Sequence, residues 1–236
     1  MSPSDNANPS LNLVAQCVAS KCSPDQLVQY HFLRRRSRDA TVFKAQYMEL
    51  DMRLQELFMY VAPCNANGQT HSVVLSTLIR NAANLFELVS RWLYTQLGLP
   101  RAELKVKKFL ELDRYTGVST LSVVSYKLYD EFLDSEIYRP FGKVGLWDRV
   151  SPIQDDQIPS WWTANNKLKH SNDGLKQYGT LRNSIAAVSG CFVLLHRIFG
   201  TGYVWGIDVD GNGRIYSDVV SGIFDIEPSG GALPGN

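Results

Sequence analysis

The chain is poor in the residues that build metal and disulfide sites. Four cysteines (Cys17, Cys22, Cys64, Cys191) and four histidines (His31, His71, His170, His196) are scattered over 236 residues. No CxxC pair occurs, so zinc has no ligand spacing to occupy. A disulfide framework is also out of place in a chain long enough to bury its own core. The expectation is reduced thiols in a cytoplasmic setting, with no metal and no cofactor. Net charge is nearly absent too. Lys and Arg number 24 against 23 Asp and Glu, so no global field draws in nucleic acid or a membrane, and any such contact must come from a local cluster. No apolar run is long and uninterrupted enough to span a bilayer. The polar opening MSPSDNANPS lacks the charged-then-apolar order of a secretory signal. No internal repeat is evident. A globular protein remains, of one domain with an appendage or of two small ones.

Helical periodicity is what the chain does have. Phe43, Tyr47, Leu50, Leu54, Leu57, Phe58 and Val61 recur three and four apart, which predicts a helix over about 39–62. The stretch PCNANGQTHS breaks it, and Ser72 is placed to cap the next helix. There Leu75, Leu78, Ile79, Ala82, Leu85, Phe86, Val89, Trp92 and Leu93 form one stripe, closed by Gly98 and Pro100. Two long helices joined by about nine residues would pack antiparallel. AELKVKKFLELDRY reads as a shorter helix. STLSVVSYKLYDEFL is either strand or helix, with Tyr126, Tyr129, Phe132 and Leu133 at helical spacing near its end. RPFGKVGLWDRVSPIQDDQIP is loop. A last helix over about 178–199 carries Leu181, Ile185, Val188, Phe192, Leu195 and Ile198, closed by Gly200 and Gly202. After it, YVWGIDVDGNGRIYSDVVSGIFDI looks like two strands about a tight turn. The expected fold class is mainly α, an antiparallel helical bundle with a small C-terminal β-hairpin. Its expected divisions are 1–37, an N-terminal segment with a short helix near 11–19; 38–200, the bundle; and 201–236, the hairpin and a loose tail.

Three local features invite chemistry. Arg34, Arg35, Arg36 and Arg38 form the densest charge, either a solvated helix entry or a phosphate-attracting patch. In DVDGNGRIYSDV, Asp208, Asp210, Asn212, Gly213 and Ile215 match a calcium loop, but its twelfth position holds Val219, with Asp218 one residue early. A primed turn explains the same Asp-Gly and Asn-Gly pairs. The third is PSWWTANNKLKHSNDG. As a helix over 160–172 with Ser160 as N-cap, it places Trp161, Ala164 and Leu168 on a buried face. Trp162, Asn166 and His170 then fall on an adjacent edge, with Lys169 beside them. His170 can move a proton near neutral pH, and Lys167 or Lys169 can steady a phosphate as point charges. The same basic residues also complement a helix C-terminus, with no function required. Glu87 and Arg91, four apart, form either a surface ion pair or a support for that polar edge.

The order of a helical hairpin, a variable middle and a polar-N-x-x-x-H segment leading into a last amphipathic helix resembles the HEPN superfamily (higher eukaryotes and prokaryotes nucleotide-binding). The stretches ELDMRLQELFMYVAP, LSTLIRNAANLFELVSRWL and PSWWTANNKLKHSN look like uncharacterised bacterial and prophage proteins of this architecture, over about 40–200. The resemblance implies a homodimeric helical bundle. It aligns Asn166 and His170 with the signature asparagine and histidine. In active members an arginine and that histidine from two subunits cleave RNA without metal. Here Asn165 stands where the arginine belongs, and loss of a preorganised charge typically costs several kcal/mol of transition-state stabilisation. Lys169 or Arg182 are the candidate substitutes. The resemblance therefore implies a degenerate site at Asn165, Asn166, Lys169 and His170. Arg34, Arg35, Arg36, Lys167 and Lys169 are candidate RNA contacts, and Glu87, Arg91 and Trp162 candidate supports. Three readings follow: a weak or inactive protein that binds RNA or a protein partner as a homodimer; an active metal-independent endoribonuclease of toxin or phage-defence type; or a structural assembly module.

Overall fold

Residues spaced three and four apart bury themselves where the sequence implies. In a computed structural model of the protein, which describes residues 38–97, 99, 104–125, 127–128, 135–170, 174–199, 219 and 221–226, helix α1 runs Arg38–Phe58. It buries Phe43, Tyr47, Leu50 and Leu54, with Leu57, Phe58 and Val61 packed at the margin. Helix α2, Val73–Gln96, starts at Ser72, whose hydroxyl accepts the Leu75 N–H at 3.1 Å, the N-cap expected there. The connection is longer than nine residues, because the last turn of α1 unwinds after Phe58. Residues 59–72 include a 3-10 turn at Asn65–Asn67. The end of this loop is laced to residues 179–182 by the Ser72 N–H on Gly179 O, the Leu181 N–H on Thr70 O and the Arg182 N–H on Gly68 O. Gly98 and Pro100, like Gly200 and Gly202, lie outside the described residues.

The middle is broken into short pieces. The helix expected from AELKVKKFLELDRY is two: α3, Val106–Leu110, and α4, Asp113–Thr116, the second ended by Gly117 in the left-handed conformation at φ 62°. Buried Asp113 then accepts both the N–H and the hydroxyl of Ser119 at 2.8 Å and locks the turn. The ambiguous stretch contains a strand, β1, Val123–Val124, and is followed by helix α5, Ser135–Tyr138. Tyr126, Tyr129, Phe132 and Leu133 lie outside the described residues. Next come α6, Ser160–His170, the short α7, Leu175–Tyr178, and α8, Leu181–Phe199.

Helix α8 departs from the expected one-sided stripe, since every residue from Ser184 to Leu195 is buried. A helix apolar all round is an interior helix. Its closest partner is α2. The Ser184 hydroxyl donates to Leu75 O at 3.1 Å and the Cys191 thiol to Ala82 O at 3.0 Å. Seven residues separate the two contacts on each helix, so α2 and α8 run parallel in one register. Ser184 and Cys191 thus lie on the face of α8 turned to α2, while Ser189 and Gly190 face elsewhere, the Ser189 hydroxyl within 3.5 Å of Ile137 O and Gly190 against the Trp161 ring. Helix α1 runs the opposite way, with Tyr47 against Phe192 and Phe43 against Phe199. The Trp92 indole N–H on Asp39 ties the end of α2 to the start of α1. Helix α6 also opposes α2, since Phe86 meets Trp161 and Trp162 while Arg80 reaches Leu168.

The C-terminal strand finds a distant partner. Strand β2, Asp225–Ile226, pairs antiparallel with β1 in the register Val123–Ile226 and Val124–Asp225. The rest of the expected hairpin, including Asp208, Asp210, Asn212, Gly213, Ile215 and Asp218, lies outside the described residues. Val219, Ile223 and Phe224 are buried in the helical core. Asp51 on α1 holds this segment: its carboxylate accepts the Gly222 N–H at 2.8 Å, the Ser221 hydroxyl, Gln55 Nε2 at 2.8 Å and the Tyr47 hydroxyl at 3.3 Å. No helix among the described residues is long and apolar enough to cross a membrane.

Burial pushes the Cys191 thiol from 9.0 up to about 12. Burial and the Asp51 charge hold the Tyr47 hydroxyl well above its ordinary value. Both groups are raised in the folded state, so the unfolded chain loses these protons first and stability falls as pH climbs. Urea unfolding is expected to shift to lower midpoints between pH 9 and about 12, with a smaller loss near pH 9–10 in Cys191→Ala. A midpoint unchanged over that window would contradict the assignment.

Candidate functional site

The two halves of α6 have different surroundings. In the first half Trp161 and Trp162 both lie 5.5 Å, centroid to centroid, from Phe86. Trp161 also meets Phe141 and donates its indole N–H to Pro140 O at 3.3 Å. At Gly190 of α8 an added Cβ would stand 3.1 Å from the Trp161 ring, so the absence of a side chain there admits the indole. These tryptophans are core residues. Trp162, expected beside the polar edge, is instead covered at the opposite end of the helix from His170. Ser160 is the first helical residue and not the cap. The carbonyl ahead of it, on Pro159, receives the N–H groups of Trp162 and Thr163.

The second half carries Asn166, Lys167, Lys169 and His170, all exposed, over buried Leu168. Asn165 is not among them. It lies four residues after Trp161 and three before Leu168, on the buried stripe, and is 0% exposed. Among the described residues neither its amide nitrogen nor its carbonyl oxygen has a hydrogen-bond partner. The side chain expected at the site from the resemblance thus faces the interior and is not beside Asn166 and His170. Its stripe position was readable in the sequence from the spacing that assigned Trp161, Ala164 and Leu168.

A residue that the sequence did not single out occupies the edge. Arg80 of α2 donates from Nη2 to Leu168 O at 2.6 Å, across 88 positions of sequence. This guanidinium satisfies a carbonyl of the last turn of α6 and so places a positive group at the same turn of helix that carries Lys167, Lys169 and His170. The only sign of it in the sequence is that residues 73–86 contain one charged side chain, Arg80. The sequence that carries the edge is itself poor in acids: between 158 and 207 the sole acidic residue is Asp173.

The other candidates sit elsewhere. Glu87 accepts from Arg91 Nε at 2.9 Å and Nη2 at 2.7 Å, the surface ion pair that the spacing allows, and Arg91 lies over the Phe109 ring at 5.4 Å. The pair follows Phe86, two turns along α2 from Arg80, so it belongs to the tryptophan end of α6 and not to His170. Arg182 donates to Asn65 Oδ1 at 2.7 Å and lines an open cleft of about 390 Å³ with Lys143, Asp155, Ser160, Thr163 and Tyr178. Arg34, Arg35 and Arg36 lie outside the described residues. Among the described residues no group of three His, Cys, Asp or Glu side chains could hold a metal ion.

What this edge offers chemically is one imidazole, one guanidinium, two ammonium groups and a carboxamide, all reachable from solvent. They suit an anion with several oxygens. No family model matches the chain, and neither does any curated protein or solved structure.

A fully buried carboxamide without partners carries a desolvation cost of about 1–3 kcal/mol. Replacing Asn165 with leucine, of similar branched shape, is expected to raise stability by about 1 kcal/mol after some overpacking is allowed for. Urea unfolding measures this. A loss of stability would mean that the carboxamide is engaged.

Proposed function

We propose that the protein is a HEPN-like helical bundle that has lost ribonuclease activity and binds RNA, as a homodimer, through the exposed edge at the C-terminal end of α6. The observation that carries this reading is the separation of Asn165 from its neighbours. The position that would supply transition-state charge is buried and neutral, while Asn166, Lys167, Lys169 and His170 stand exposed with Arg80. Phosphate oxygens are the natural partners of such a cluster. A guanidinium can present paired N–H donors, and lysines add point charge. Near-zero net charge limits long-range attraction, so affinity comes from this local patch and falls with salt.

A second reading, an active metal-independent endoribonuclease, draws on Arg80. The guanidinium held against Leu168 is the one described arginine bonded to the last turn of α6, where it could stand in for the signature arginine beside His170. Cleavage would leave cyclic phosphate ends as the ribose 2′-hydroxyl displaces the 5′-oxygen of the next nucleotide.

Fluorescence anisotropy with labelled single-stranded RNA separates these readings when cleavage is followed in EDTA. The wild type is expected to bind and leave the RNA intact. The combined Arg80→Ala, Lys167→Ala, Lys169→Ala variant is expected to lose at least about tenfold in affinity, with the logarithmic salt slope shallower by about 0.7 for each phosphate contact removed. Unchanged affinity in that variant would overturn the RNA-binding assignment. Cyclic-phosphate products that disappear in His170→Ala would replace the inactive reading with the active one.

A further inference from the structure

The corner where α4 meets the loop 142–151 holds two guanidinium groups whose donors find no acceptor. The loop packs here through Gly145, where an added Cβ would stand 3.6 Å from the Ser119 Cβ, and Ser119 is the residue bonded to Asp113. Arg114 of α4 lies with its Cζ 4.9 Å above the Trp147 ring. Its Nε is buried and has no hydrogen-bond partner among the described residues. Arg149, two residues after Trp147, brings Nη2 to 3.7 Å from Asp113 Oδ2, beside Arg114 in the chain. That distance gives attraction without a hydrogen bond. The acids of this corner are engaged elsewhere. Asp113 accepts the Ser119 N–H and hydroxyl, and Glu111 pairs with Lys108 at 3.0 Å. Asp148 accepts the Val150 N–H at 2.9 Å and the Ser151 N–H and hydroxyl at 2.8 Å. Carboxylate acceptors are thus used within the loop while guanidinium donors are not, and a bound oxyanion supplies what is missing.

The backbone points the same way. Arg149 has φ 64°, and among the described residues it alone of the non-glycines lies in the left-handed region. Glycine adopts that conformation without the steric cost of a Cβ, and strain of this kind collects at binding sites. The three bonds to Asp148 and the Trp147 indole N–H on Ser151 O hold the turn, so Arg149 is presented on a fixed support. We propose that Arg114 and Arg149 form a phosphate-binding site, their two guanidinium groups gripping the oxygens of one phosphate group. Two positive forks match the charge and the terminal oxygens of a phosphate monoester better than the single charge of a carboxylate. The site lies apart from the last turn of α6 and does not rest on the RNA reading.

Side-chain nitrogen NMR of the full chain, titrated with inorganic phosphate against chloride at constant ionic strength, is the test. The Nε–H signals of Arg114 and Arg149 are expected to shift together and to saturate at millimolar phosphate. Arg149→Gly suits a φ of 64° and is expected to weaken binding at least about tenfold without loss of stability to urea. Arg114→Lys, which keeps the charge and loses the fork, is expected to weaken it as well. Shifts that grow without saturating, or that persist unchanged in Arg149→Gly, would overturn the site. Phosphate binding is expected to survive in the combined Arg80→Ala, Lys167→Ala, Lys169→Ala variant, so failure of the RNA reading leaves this site standing, and its loss there would overturn the assignment to Arg114 and Arg149. The anisotropy titration tells the source of the phosphate: Arg149→Gly lowers RNA affinity if the group belongs to an RNA backbone and leaves it unchanged if the ligand is a free phosphate.

Discussion

Close contact between α2 and α8 is the constraint on which the remaining architecture depends. Two parallel helices cannot be neighbours in a chain without a long return path, and here the return is everything between Leu97 and Leu181. What ties the two together is Ser184 and Cys191, which bond carbonyls of the opposite helix at the same register, together with the burial of nearly the whole of α8. With α8 buried on all sides, α1 and α6 must lie against the central pair, both running against it. The position of Gly190 then matters more than its modest size suggests, because it leaves room for Trp161 and so fixes where α6 begins. The C-terminal segment is added last in sequence but is tied to one buried carboxylate of α1 by two donors, the Ser221 hydroxyl and the Gly222 N–H, while Tyr47 and Gln55 of α1 hold that carboxylate in place.

Function in this account follows from how α6 is anchored. Its tryptophans are held by Phe86 and Phe141, and its last turn by Arg80, so the helix is fixed at both ends while one edge of its second half stays open to solvent. An arginine at position 165 would have to bury a guanidinium in the stripe that Trp161, Ala164 and Leu168 occupy. Burial of an unpaired charge there is far more costly than burial of a neutral amide. The one guanidinium bonded to this turn comes from a neighbouring helix, beside the two lysines of α6 itself. Under the function proposed above, such an edge would hold phosphate through Arg80, Lys167 and Lys169.

Long helices were legible in the sequence because their buried positions recur at one period. Phe43 to Leu54 in α1, Leu75 to Leu93 in α2 and Leu181 to Ile198 in α8 all read directly, as did the Ser72 cap. Asn165 was equally readable from its spacing, but a carboxamide was assigned to the polar side by its chemistry. Arg80 was not legible: nothing local ties a side chain of α2 to a carbonyl of α6. The pairing of Val123–Val124 with Asp225–Ile226 escaped for a similar reason, since two-residue strands carry no period and their partners are about a hundred positions apart. The middle failed where its helices proved only one turn long, set by the Gly117 turn and the Asp113 bonds and not by an apolar stripe.

The central claim is that the edge formed by α6 and Arg80 is the RNA-contacting surface and that Asn165 stands apart from it. Residue-resolved NMR, following amide and side-chain signals as single-stranded RNA is titrated into the labelled protein, tests this most directly. The account predicts shifts concentrated at Asn166–His170 and at the Arg80 guanidinium, with the side-chain amide of Asn165 unmoved. Shifts confined to other surfaces, or none at low salt, would contradict it.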